Sequence, residues 1–163
     1  MKNYRTILLA ALVALPFAAA CNKENAEPDL MPGDEAGLCA FQSFSARIGV
    51  KRTEAGERSL VLTEGFPTKK GHREKVIYSA PLSGASVYLK IRYVFTPVEE
   101  GQKADTAFLS YSEDGIHWTA VDYMLEMRYT LDYFTGYRSG LYCFGPGGGT
   151  ARFDWFHQRR VPE

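Results

Sequence analysis

Apolar and polar residues alternate along most of this chain with a period of two. The clearest case is 87–95, VYLKIRYVF, where Val87, Leu89, Ile91, Tyr93 and Phe95 fall on one side and Lys90 and Arg92 on the other. Successive side chains of a strand point to opposite faces, so this pattern predicts a strand with one buried face. Similar runs occupy 36–42, 47–53, 58–63, 74–82, 106–112, 117–122, 137–144 and 151–157. Turn-forming residues separate them: Glu54-Ala55-Gly56, Lys70-Gly71, Ser83-Gly84, Glu99-Glu100-Gly101 and Asp114-Gly115. Only Tyr123 to Tyr133 could pass for a helix, and it lacks an apolar stripe and a cap. Many short strands without alternating helices predict an all-β antiparallel sandwich or barrel.

Two loops test that reading. The stretch FGPGGGTARFDWF (144–156) has the glycine density of a phosphate-binding loop. Such a loop needs a helix after it and, in its commonest form, a Gly-Lys-Ser/Thr ending. Here a strand pattern follows and no lysine does, so the loop is expected to be a hairpin connection that binds no nucleotide. The stretch SYSEDGIHW (110–118) is a second hairpin. Its Ser112-x-Asp114-Gly115-x-x-Trp118 spacing is similar to the Asp-box of sialidase propellers but occurs once. A single copy is a folding device, with Asp114 satisfying turn amides, Gly115 turning the chain and Trp118 packing beneath.

The N-terminus departs from the strand pattern. Lys2 and Arg5 precede an apolar stretch, Ile7 to Phe17, and three alanines then lead to Cys21. The apolar part is shorter than the roughly 20 residues that span a bilayer, and the arrangement is that of an export signal. Residues 1–20 are therefore expected to be a signal peptide. Cys21 is expected to carry a lipid anchor, although Ala18 stands where a lipoprotein signal usually has Leu, and 21–33 reads as a polar tether. Residues 34–160 then form the sandwich. The expected location is the bacterial envelope, with the membrane reached through the lipid alone.

Charge and cysteine usage narrow the classes further. The chain carries 19 basic and 19 acidic residues. Loss of Lys2 and Arg5 with the leader leaves 17 against 19, and no basic stripe for nucleic acid. Cys39 and Cys143 lie in apolar runs and are expected as free thiols, a disulfide being the alternative that export permits. No Cys or His lies within four residues of another, so no metal site is expected.

The segments LMPGDEAGLCAFQ (30–42), IGVKR (48–52), VYLKIRYVF (87–95), FLSYSEDGIHW (108–118) and MRYTLDYFTGYRSGLYCF…GGGTARFDWF (127–156) follow one another in this order. Together they resemble the C-terminal β-sandwich of glycoside hydrolase family 43, the β-xylosidases and α-arabinofuranosidases. The resemblance rests on Gly33-Asp34-Glu35-Ala36-Gly37-Leu38, on Tyr111 to Gly115, on Phe134 to Arg138, and on Gly148-Gly149 with Phe153 to Phe156. It covers Asp29 to Gln158 and implies a concanavalin A-like jelly roll. In that family the module follows a propeller that carries the catalytic carboxylates, and no such propeller is present in this sequence. Several strands that precede the Gly-Asp-x-Ala-Gly segment are also missing, the leader and tether standing in their place. The resemblance thus implies a non-catalytic accessory sandwich, or a relic of a longer enzyme, in xylan or arabinan degradation. It implies no cofactor. Its partner would be a glycosidase propeller or a glycan, the latter if the chain is a stand-alone surface glycan-binding lipoprotein.

Glycoside hydrolysis needs two carboxylates about 5–10 Å apart across a sugar. Asp114 has a turn role, Glu126 adjoins an irregular segment and Asp154 alternates out of the last strand, so no catalytic residue is expected. His72, His117 and His157 are scattered, and no nucleophile sits in an elbow motif. For sugar binding the candidates are Tyr129, Tyr133 and Tyr137, whose rings could stack on a pyranose. Trp118, Phe153 and Trp155 are expected to fill the core instead.

Overall fold

Alternation along each segment builds the observed strands directly. The structure, a computed structural model, describes residues 29–96, 101, 103–130 and 135–160, and the backbone of 7–14. Its strands are β1 (Ile7–Ala14), β2 (Glu35–Phe41), β3 (Ser45–Arg52), β4 (Arg58–Thr68), β5 (Gly71–Pro81), β6 (Ser86–Val94), β7 (Thr106–Ser112), β8 (Thr119–Glu126), β9 (Arg138–Phe144) and β10 (Arg152–Arg160). They form two antiparallel five-stranded sheets, ordered β10-β1-β6-β7-β8 and β5-β4-β3-β2-β9. Cys21, the tether as far as residue 28, and Tyr133 lie outside the described residues.

The two sheets bury one face each against the other. Val87, Leu89, Ile91 and Tyr93 of β6 are at most 2% exposed and meet Leu38, Ile48, Leu60 and Leu62 of the facing sheet. At about 25 cal/mol per Å² of apolar surface, such side chains supply the main drive for folding. Tyr93 buries its ring, and its hydroxyl oxygen accepts from Ser139 Oγ at 2.7 Å, so the buried phenol oxygen is partnered. The described part of the stretch that could have passed for a helix, residues 123–130, is not one. Val121, Leu125 and Met127 are buried at a spacing of two or four, and β8 runs on to Glu126.

The glycine-rich loop is not a hairpin. β9 and β10 belong to different sheets, so residues 145–151 carry the chain from one layer to the other. What holds the crossing is an anion site with its own anion. Asp34 Oδ1 accepts from Gly147 N at 2.8 Å, and Asp34 Oδ2 from Gly149 N at 2.7 Å and Met31 N at 3.1 Å. The contact leaves no room for side chains: a Cβ on Gly145 would lie 2.2 Å from Asp34 Oδ1, and one on Gly149 would lie 2.4 Å from Met31 N. The backbone of Asp34 is also engaged, its carbonyl accepting from Arg52 N at 2.9 Å.

Two aromatic expectations are corrected, while Phe153 does pack against the core. Trp118 lies on the outer side of the first sheet, where Lys90 Nζ stands 3.6 Å above its ring, and Trp155 is 40% exposed. Trp118 precedes β8, and a register irregularity between Phe153 and Trp155 sets Trp155 beside the outward Tyr88, ring centroids 6.4 Å apart. The Asp114 turn is as expected, with Oδ1 accepting from Ile116 N and His117 N at 2.8 Å and Gly115 at φ 76°. Cys39 and Cys143 are both free, but they are not both buried as expected: Cys143 is exposed, while the half-buried Cys39 donates to Gly140 O at 3.4 Å.

β1 is the segment read above as the apolar part of an export signal. Its backbone pairs with β6 from Leu8↔Arg92 to Ala14↔Ser86, and with β10 from Ile7↔Arg160 to Ala14↔Arg152. Among the described residues it is the strand that joins β10 to the rest of its sheet. Backbone expected above to be removed with a leader thus occupies a strand position between β6 and β10.

Burial works against ionisation of Asp34, but the amides of Gly149, Gly147, Met31 and Gly148 outweigh it and hold the carboxyl below its ordinary value of 3.8. A depressed carboxyl adds stability above its unfolded value, and that stability is lost as pH falls through the folded one. Asp34→Asn places an amide group against amide donors. We expect its melting temperature at pH 7 to fall by about 5 °C or more. In scans at successive pH values, the gap to the parent chain should close below about pH 3.8.

Candidate functional site: a cleft on the outer face of one sheet

The sheet β5-β4-β3-β2-β9 turns alternate residues away from the core. Leu38, Ala40, Ala46 and Ile48 point in, so Cys39, Phe41, Ser45 and Arg47 point out. Register then sets Gly140, Cys39, Arg47 and Thr63 side by side across four strands. Gly140 and Cys39 are small, and the larger side chains around them stand up as walls. The result is a cleft of 370 Å³ with Phe41, Tyr142 and Phe144 among its apolar walls and Ser45, His72 and Glu74 among its polar ones. A shallower hollow of 620 Å³ shares Arg47 and Glu74 with it and continues over β3, β4 and β5.

Arg47 organises the cleft. Its Nε donates to Glu35 Oε1 at 3.0 Å, while Nη1 and Nη2 donate to the two oxygens of Glu74 at 2.5 and 2.8 Å. Tyr142 donates its hydroxyl to Glu35 Oε1 at 2.7 Å. The phenol reaches that oxygen by lying across β3, where a Cβ on Gly49 would stand 2.4 Å from the hydroxyl oxygen. Phe144 then packs beside Tyr142, ring centroids 5.6 Å apart, with the Arg47 guanidinium 5.0 Å above it.

The electrostatics follow from these contacts. The Arg47 hydrogen bond holds the Glu74 carboxyl below its usual value against the effect of partial burial. Burial disfavours the Arg47 cation, but Glu74 and Glu35 overcome it and push its pKa up. Burial, and then the Glu35 charge, push the Tyr142 phenol well above 10. A general acid has to carry its proton at working pH. Glu74 is instead held ionised, which suits accepting hydrogen bonds rather than delivering protons.

Of the three tyrosines expected to bind sugar, Tyr133 lies outside the described residues, and neither Tyr129 nor Tyr137 lines the cleft. Tyr129 is 70% exposed beside the cleft's Gln42 end, where Thr130 donates to Gln42 Oε1 at 3.0 Å. Tyr137 packs against the core, its hydroxyl accepting from Arg128 N at 3.3 Å. Tyr123 likewise turns inward and donates to Glu64 at 3.1 Å. The cleft residues escaped sequence reasoning because they come from β2, β3, β5 and β9. The available signal was phenylalanines on outward strand positions beside outward glycines. Among the described residues no group of three His, Cys, Asp or Glu is arranged to hold a metal.

Fold and cleft together define an all-β jelly-roll module with an aromatic-walled groove on one sheet. The sequence pattern of the beta xylosidase C-terminal concanavalin A-like domain matches residues 25–159, and the chain belongs to that family, the C-terminal domain of family 43 glycoside hydrolases (GH43). It is similar in structure to a bifunctional GH43-CE protein of Bacteroides eggerthii, with a TM-score of 0.77 and 26% identity, over 100% of this chain and 19% of that one. It also shares its fold with a GH43 glycoside hydrolase engineered to display endo-xylanase and exo-arabinofuranosidase activity. That likeness has a TM-score of 0.76 at 22% identity, over 96% of this chain and 30% of that one. The chain thus spans less than a third of either protein's length. No curated protein matches its sequence.

Glu35 has a side chain 5% exposed and is ion-paired with Arg47 at 3.0 Å. Arg47→Met is expected to destabilise the fold by about 3 kcal/mol in urea unfolding, because the buried carboxylate loses its cation. Arg47→Met combined with Glu35→Gln should recover much of that loss.

Proposed function

We propose that this chain is a non-catalytic accessory sandwich of the family 43 glycoside hydrolase type, serving xylan or arabinan degradation at a bacterial envelope. The observation that carries the reading is the match of 25–159 to a domain that is a minor part of longer GH43 chains. In this reading a propeller performs the hydrolysis, and the sandwich supports it or holds its substrate. The state of the Arg47 network agrees, since Glu74 is paired and ionised rather than poised as an acid. The purified chain is expected to release no aglycone from aryl β-xylosides or aryl α-arabinofuranosides. Turnover that Glu35→Gln or Glu74→Gln abolishes would overturn this reading.

The envelope setting rests on the leader and on Cys21. A thiol directly after three alanines, followed by a polar tether, suits diacylglyceryl transfer and surface display. Processing there would take β1 away and leave β6 and β10 facing each other with unpaired edges, a place where a donated strand could add. Mass spectrometry of the membrane-extracted protein should find an N-terminal, lipid-modified Cys21; an unmodified Cys21 ends the anchor. A second reading, a surface glycan-binding lipoprotein acting alone, is favoured by the groove over β2, β3 and β9.

A further inference from the structure

The cleft over Cys39 has a composition that selects its ligand. Phe41 and Phe144 are 53% and 50% exposed, Phe41 next to the buried Ala40 on β2 and Phe144 at the end of β9. Exposed aromatics that flank a concave site, with polar groups between them, characterise small-ligand pockets, which run from about 300 to 1,000 Å³. At 370 Å³ this cleft lies within that range.

Charge excludes one class of ligand. Arg47 is the cation of the cleft, and its Nε, Nη1 and Nη2 are all donating to Glu35 and Glu74. A phosphate or sugar acid would find no free guanidinium fork and would meet two carboxylates against one cation. Shape and polarity exclude another. A purely apolar ligand would cover Glu74, Ser45, Gln42 and His72 without replacing their water. The ligand that fits both limits is uncharged, has a flat CH face for an aromatic ring, and has hydroxyls at its rim. That is a neutral sugar ring.

The walls are held in place before any ligand arrives. Phe144 is packed against Tyr142 and capped by Arg47, and Tyr142 is tied to Glu35. A preformed wall costs little ordering entropy on binding. The adjoining hollow shares Arg47 and Glu74, so a chain of sugars could continue across β3 toward β5.

We infer that this outer-face cleft binds a neutral saccharide, seated between Phe41 and Phe144 over Cys39, with Glu74 and Ser45 taking its hydroxyls. The inference gives the second reading above a site and a ligand class, and it holds whether or not a propeller partner exists.

Isothermal titration of the full chain with xylohexaose, arabinohexaose and cellohexaose, and with oligogalacturonate as the charged control, tests it. Saturable binding of a neutral oligosaccharide is expected. Phe144→Ala should weaken it by about tenfold or more, and Ser45→Trp, which fills the cleft, should abolish it. Tyr129→Ala should leave it unchanged. Thermal melting of each variant separates lost binding from lost fold. Absence of binding to all three neutral sugars, tighter binding of oligogalacturonate, or loss with Tyr129→Ala but not with Ser45→Trp would overturn the inference. Binding of cellohexaose alone, lost with Ser45→Trp, would support the cleft while counting against the xylan or arabinan role.

Discussion

The carboxylate of Asp34 is the point where the two layers of this sandwich are tied by the chain itself. It gathers amides from Gly147 and Gly149 in the loop that leaves one sheet for the other, and from Met31 in the segment that enters β2. A carboxylate that accepts several backbone N–H bonds is worth more than its neutral form, because each donor is charge-assisted. Nested amides of this kind are what anion-binding loops offer a phosphate. Here the anion is internal, and the loop's glycines permit the close approach that the carboxylate needs.

The residues next to Asp34 extend the same logic to the surface. Glu35 begins β2 as a buried acid and sets Arg47 and Tyr142 in position. Arg47 in turn takes Glu74 from β5 and covers Phe144 on β9. The segment Gly33-Asp34-Glu35-Ala36-Gly37-Leu38 therefore serves three layers at once: the crossing loop, the core through Ala36 and Leu38, and the outer groove through Glu35.

The N-terminal segment joins structure to cellular setting. The pattern that reads as an export signal also has the length and backbone needed to fill a strand position between β6 and β10. Apolar runs of about eight residues satisfy both demands, since a buried strand and a signal core need the same composition.

By itself the sequence determined the class and most of the strands. Period-two alternation marks β6 and β7 almost to the residue, because inward positions must be apolar whatever the strand's neighbours are. It also determined the Asp114 turn, whose partners lie within three residues. Only the tertiary structure decided that residues 145–151 cross between sheets, because a loop's destination depends on which edge its next strand joins. The cleft was decided the same way: Phe41, Arg47, Glu74 and Phe144 lie on four strands, and strand order with register, neither of which is a local property, makes them neighbours. Tyr129 and Tyr137 stood out because they are close in the chain, whereas a groove across a sheet is built from residues far apart in it.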